Sequence, residues 1–234
     1  MWKIKGIIFD MDGVLVDTER ISFKFWEKSF EKYGYKYSMD THLSLIGRNN
    51  NSIRNILGET FGTEFPLDEI CNYKSESMIK YLLEEGTPLK IGVFELLDYL
   101  RENNYKIAVA TSTHKERAIQ RLESVGIKEK FDDMVCGDEI EHSKPNPEIF
   151  LKAAEKLGLK PEECIVIEDS QAGVEAGYKG GMTVINVPDM KIPDEEMKKY
   201  SSLICNNLLD VKEYLETKVE IGRASCRERV YVLV

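Results

Sequence analysis

Two aspartates, Asp10 and Asp12, follow directly on the apolar run Gly6-Ile7-Ile8-Phe9 near the start of the chain. A buried carboxylate is costly without a partner, and two side by side also repel each other. Alternate residues of an extended segment face the same way, so both can act on one ligand. One can attack as a nucleophile while the other moves a proton. Gly13 lets the chain turn sharply beneath that ligand. Other apolar runs lead into polar groups of a consistent kind: Thr111-Ser112-Thr113, Lys144 in "HSKPNPE", and Glu168-Asp169-Ser170. Carboxylates from two strand ends can form an oxygen-rich site for Mg²⁺, which prefers hard ligands and keeps several waters. Such an ion would offset the repulsion between the acids.

These groups need a scaffold that gathers them. Short apolar runs at 6–9, 106–110, 133–137, 164–167, 183–187 and 202–205 read as strands of a sheet covered on both faces. Helical patterns lie between them. Val93, Leu96, Leu97 and Leu100 follow the spacing of one helix face, as do Ile149, Phe150, Ala153, Ala154 and Leu157. Asn146 suits the N-cap of the second helix, Pro147 its first turn and Gly158 its end. Thr113 to Glu116 fits a capping box, and Ser170 suits the cap of the helix beginning at Gln171. His42, His114 and His142 are isolated and are expected at the surface.

From about residue 86 helix and strand alternate, which implies an α/β fold with a doubly wound parallel sheet. In such sheets ligands bind beyond the carboxyl ends of the strands, where all four polar groups fall. The stretch 18–85 has helical patterns (Phe23, Trp26, Phe30 and Tyr33, then Gly34) and no convincing strand. An all-helical insertion is therefore expected at 18–85, with the core formed by 1–17 and 86–220. Residues 221–234 fit neither part. With Arg223, Arg227 and Arg229 in seven residues, they are expected to be a non-native or disordered tail.

Composition narrows the function. A formal net charge of −9 over 234 residues argues against a nucleic-acid partner, which usually needs a basic face. The five cysteines show no metal-ligand spacing and read as reduced thiols. With no signal peptide or apolar run long enough to span a bilayer, a soluble cytoplasmic monomer is expected.

The segments "DMDGVLVDT", "ATST", "SKPNPEIF" and "IEDSQAGVEAG" resemble, in order, the four motifs of the haloacid dehalogenase superfamily. The resemblance spans roughly residues 5 to 215 and is strongest to the branch of β-phosphoglucomutase and small sugar-phosphate phosphatases. It implies a Rossmann-like core with a helical cap inserted after the first motif. It also implies that Asp10 becomes an aspartyl-phosphate and that Asp12 serves as acid and then base, a role that needs a raised pKa. Thr111 and the Ser112 amide would hold phosphoryl oxygens, and Lys144 would neutralise charge. Asp10, the Asp12 carbonyl, Glu168 and Asp169 would surround Mg²⁺. Thr18, Arg48 and Lys74 would meet the substrate from the cap side. The expected activity is a Mg²⁺-dependent phosphatase acting on a small phosphorylated metabolite, with a β-phosphoglucomutase-type isomerase as the alternative. A dehalogenase would need no metal acids. A phosphonate hydrolase would use Lys74 as a Schiff base, and a non-catalytic binding protein would turn over no ester.

Overall fold

The computed structural model describes residues 3–218, so the expected tail at 221–234 lies outside the described residues. Six parallel strands, β1 (Gly6–Phe9), β2 (Lys106–Ala110), β3 (Asp133–Val135), β4 (Cys164–Glu168), β5 (Thr183–Asn186) and β6 (Leu203–Ile204), form one sheet. Their spatial order is β3-β2-β1-β4-β5-β6. The chain leaves β1 towards β2 and β3, then crosses to β4 on the other side, so the winding reverses at β1. That reversal opens the crevice in which open α/β sheets take their ligands.

β1, β2 and β4 are apolar along nearly their whole length because they are covered twice. Ile7, Phe9, Ile107, Val109, Ile165 and Ile167 face one core, packed by α5 (Val93–Glu102), α6 (Lys115–Ser124) and the helical residues 208–218. Ile8, Ala108, Ala110 and Val166 face the other, packed by α7 (Glu148–Lys156), α8 (Gln171–Lys179) and α9 (Glu195–Tyr200). Register fixes the height of the chemistry. Phe9 lies level with Val109 on one side and with Ile167 on the other. Asp10, Thr111 and Glu168 therefore emerge within a residue of one another at the same sheet edge.

Between β1 and α5 stand four helices: α1 (Glu19–Lys32), α2 (Met39–Leu45), α3 (Asn50–Phe61) and α4 (Leu67–Glu85). They enclose their own apolar cluster of Trp26, Phe30, Tyr37, Leu45, Leu57, Phe65 and Ile70. The segments entering and leaving this unit lie side by side. Asp17 N–H donates to Pro88 O at 2.8 Å and Lys90 N–H to Leu15 O at 3.0 Å. A charge network ties them to the core, because the buried Asp189 accepts from Arg20 at 2.5 Å and Lys90 at 2.8 Å.

Two local expectations shift. α6 is capped at His114 without a side-chain bond, because the Thr113 hydroxyl is used elsewhere. α7 starts one residue later than expected, with Pro147 at the cap, while Asn146 Oδ1 still accepts from Glu148 N–H at 3.0 Å. Ser170 does cap α8, accepting from Gly173 N–H at 3.1 Å.

Candidate active site

Lys144 is the centre of the buried charge. Its side chain is fully buried, reaches across the sheet edge from the loop before α7, and donates to Asp10, to Glu168 Oε1 at 2.7 Å and to Ala110 O at 3.2 Å. One cation thus sits between carboxylates at the ends of β1 and β4. Burial lowers a lysine's pKa, but the two acids outweigh it and hold the ammonium protonated. Asp10 moves the opposite way: burial pushes it up to about 8, Lys144 pulls it down, and Glu168 adds repulsion.

Met11 points into the core, as period-two alternation requires, and leaves Asp12 facing the cleft beside Asp10. Three donors hold the Asp12 carboxylate. Thr18 Oγ1 and Arg121 Nη1 each lie 2.5 Å from Oδ1, and Thr113 Oγ1 lies 2.7 Å from Oδ2. This corrects the expectation of a raised Asp12. Burial alone would raise it, but Arg121, Thr18 and Thr113 bring the net shift below the usual carboxylate range. It also corrects the reading of Thr113 as a plain helix cap. Thr18, expected to meet substrate, is buried and bonded to Asp12.

Asp169 stands apart from this network. It is buried, and none of the described donors hydrogen-bonds its carboxylate. Burial and the neighbouring Glu168 and Asp10 push its pKa well up. Gly13 allows the approach: its φ is +86°, and a Cβ there would stand 2.3 Å from Asp169 Oδ2. Glu168 differs, because Oε1 serves Lys144 while Oε2 accepts from Ser170 N–H at 2.8 Å and from Ser170 Oγ at 3.0 Å. Among the described residues no three Asp, Glu, His or Cys side chains stand grouped as a ready-made metal site. The Asp169 carboxylate, buried and without a hydrogen-bond donor, is of the oxygen type that a hard cation with retained waters takes as a ligand.

The sheet edge and the helical unit enclose a cleft of about 440 Å³, the size of a small-ligand site. Asp10, Asp12, Thr111 and Ser112 form its floor, and Arg48 reaches it from the loop between α2 and α3 and Lys74 from α4. Ser112 Oγ donates to Gly47 O at 3.0 Å, and Ser52 meets Ser143 at 3.2 Å, so helical unit and core touch around the rim. Sequence reasoning missed Arg54, Arg117 and Arg121, which also line the cleft. The available signal was the four-residue spacing of Arg117 and Arg121 in the helix directly after β2. It also misplaced His42, which is buried at the cleft wall because Tyr37 and Phe23 pack around its ring. His114 and His142 are exposed, and Cys71, Cys136, Cys164 and Cys205 are free thiols. No helix of the described residues is long and apolar enough to cross a membrane.

Comparison with known proteins agrees with this geometry. Residues 7–187 match the family described as haloacid dehalogenase-like hydrolase. A phosphorylated carbohydrates phosphatase of Thermotoga maritima is 36% identical over 185 residues, covering 76% of this chain and 82% of that protein. A fructose-1-phosphate phosphatase of Escherichia coli is 30% identical, covering 79% and 97%. The β-phosphoglucomutase of Bacillus subtilis is 32% identical, covering 79% and 83%. Among solved structures, a putative β-phosphoglucomutase from Thermotoga maritima superposes with a TM-score of 0.73 at 30% identity, over 92% of this chain and 99% of the other. The sheet order, the strand-end acids with their buried lysine, and these matches together place the chain in the haloacid dehalogenase-like hydrolase family.

Proposed function

We propose that the protein is a Mg²⁺-dependent phosphatase that hydrolyses a small sugar phosphate through an aspartyl-phosphate on Asp10. One observation carries this reading: two aspartates two residues apart face one cleft, each held by its own partners. Asp10 is paired to the buried Lys144, and Asp12 is gripped by Arg121, Thr18 and Thr113. Lys144 can offset charge at Asp10 as it attacks, and Asp12 can take up a proton once Arg121 turns to the phosphate. The relatives named as sugar-phosphate phosphatases support the substrate class.

An Asp10 oxygen attacks phosphorus, and the ester oxygen leaves with a proton from Asp12. Asp12 then takes a proton from water as that water attacks phosphorus and frees Asp10. Lys144 offsets charge on Asp10, while the Thr111 hydroxyl and the Ser112 amide hold phosphoryl oxygens. Asp10, Asp169 and the Asp12 carbonyl would hold Mg²⁺, with Glu168 behind them keeping Lys144 in place. The ion, when bound, supplies charge neutralisation and orientation at the transferring group. The helical unit acts as a cap that excludes water and selects substrate. In this reading the partner is a small phosphorylated molecule, and the enzyme works as a cytoplasmic monomer without nucleic acid or membrane.

Arg121 has a specific task. In the free protein it holds Asp12 ionised, and an arriving phosphate dianion competes for the guanidinium, letting Asp12 take up its proton. Arg121→Met is expected to lower kcat/KM by about 10–100-fold, at the lower end of general acid–base contributions. Carbon NMR of the free variant should show Asp12 titrating at a higher pH than in the wild type. Gly13→Ala should cost about 1–2 kcal/mol for the left-handed backbone alone. It should also push Asp169 aside, which calorimetry would read as weakened Mg²⁺ binding.

A screen of sugar, polyol and nucleotide phosphates with Mg²⁺ tests the activity. The phosphatase reading expects one phosphate released per ester consumed. The β-phosphoglucomutase resemblance keeps an isomerase as the second reading, and that enzyme would convert one sugar phosphate into another with little phosphate released. Absence of turnover on every ester would overturn both.

A further inference from the structure

The Asp169 carboxylate is buried with no hydrogen-bond donor among the described residues, so no hydrogen bond of its own fixes where it points. Its direction is left to the backbone, and first of all to the peptide that joins Glu168 to Asp169. The carbonyl of that peptide is held twice. Val187 N–H donates to it at 2.8 Å, and the Asn186 side chain donates through Nδ2 at 2.9 Å. Asn186 lies level with Glu168 on the neighbouring strand β5, is fully buried, and does not line the cleft.

An amide is unfavourable at this position. By alternation Asn186 shares a sheet face with Val184, which packs in an apolar core, and asparagine is depleted in strands. Its Oδ1 is buried and meets no described donor. Turning the amide over would set Oδ1 against the Glu168 carbonyl, acceptor against acceptor, so the orphaned oxygen follows from the bond that Nδ2 makes. Buried polar atoms without a partner are few in native proteins, and each calls for an explanation. An apolar side chain here would leave the Glu168 carbonyl bonded to Val187 and would remove only the second donor. We propose that Asn186 is a positioning residue: it fixes the plane of the Glu168–Asp169 peptide and so holds the Asp169 carboxylate ready for Mg²⁺, at the expense of fold stability. This rests on the reading of Asp169 as a Mg²⁺ ligand and extends it to a residue one strand away. Groups that orient a metal ligand from behind change metal affinity by about 10–100-fold, and one bond to the adjoining peptide belongs at the lower end.

Asn186→Leu keeps much of the side chain's shape and carries no donor. Calorimetric titration of the variant with MgCl₂, without substrate, should show binding weakened by about 10-fold. In chelator its melting temperature should match or exceed the wild-type value, because the orphaned oxygen is gone. Turnover of the best ester from the screen should need correspondingly more Mg²⁺ and return to within about threefold of wild type when Mg²⁺ saturates. Val184→Ala is the control: a packing loss on the same strand and face should lower the melting temperature and leave Mg²⁺ affinity within about twofold. Should Asn186→Leu fail to fold, Asn186→Val makes the same comparison with a smaller side chain suited to a strand. Unchanged Mg²⁺ affinity in the variant overturns the positioning role, as does a melting temperature below wild type. An equal loss of affinity in Val184→Ala overturns it too, by tracing the effect to the strand as a whole. A wild type that binds no Mg²⁺ removes the metal reading and this role with it. A wild type that binds Mg²⁺ and cleaves no ester loses the phosphatase reading alone.

Discussion

Asp10→Asn is expected to abolish phosphate-ester turnover, by about 10⁴–10⁶-fold, the scale on which removing a nucleophile acts. The amide has the carboxylate's shape and keeps an oxygen for Lys144, so the fold should persist. The substitution also has a signature in stability. Asp10 titrates at about 8 in the folded protein because it is buried, far above an unfolded aspartate near 4. Between those values the folded chain holds a proton that the unfolded chain has released. Stability attributable to Asp10 is therefore present below pH 4 and is lost as pH rises through about 8. In chelator, the wild type should lose melting temperature from pH 5 to pH 8, and Asp10→Asn should lose less. Calorimetric melts over that range, beside steady-state assays, check both halves. Near wild-type turnover in the variant would refute the role of Asp10.

Lys144→Met is expected to damage stability as well as activity. Lys144 is the cation between Asp10 and Glu168, and its side chain is fully buried. Breaking a buried pair by removing one partner costs about 3–5 kcal/mol, because the remaining charge has no compensation. At about 2–4 °C per kcal/mol for a chain of this size, melting should fall by roughly 6–20 °C. Methionine preserves much of the stem's packing against Phe150, over whose ring Nζ lies at 4.9 Å, so the loss reports charge rather than volume. A double variant that adds Glu168→Gln should recover part of the stability and none of the activity. Simple addition of the two stability losses would show that the pair is not coupled.

Much of this architecture is legible in the sequence, for a physical reason. Strands buried on both faces read as unbroken apolar runs, so β1, β2, β4 and β5 show plainly in "GIIF", "KIAVA", "CIVI" and "TVIN". Parallel strands place their carboxyl ends together, so the acids, hydroxyls and lysine that follow them could be assigned to one rim before any coordinates. The spatial order of the strands was not legible, because no local pattern records which strand lies beside β1. The misread residues share a cause. Thr113 has the composition of a helix cap, and only the arrival of Asp12 from 101 positions away gives its hydroxyl a stronger acceptor. His42 is one histidine among polar neighbours, and only the packing of α1 and α2 encloses it. Arg117 and Arg121 carry only their four-residue spacing as a local mark. Their meaning comes from the cleft they enter.

The central claim is that Asp10 takes the phosphoryl group covalently. The most direct measurement uses Asp12→Asn with p-nitrophenyl phosphate, whose leaving group needs no proton. Formation of the phosphoenzyme should then proceed while its hydrolysis, deprived of the base, lags. Rapid acid quench followed by peptide mass spectrometry should find a hydroxylamine-labile phosphate on Asp10, together with a burst of about one p-nitrophenolate per active site. Steady release without a burst while Asp10 stays unmodified, or a phosphate on any other residue, would contradict the account.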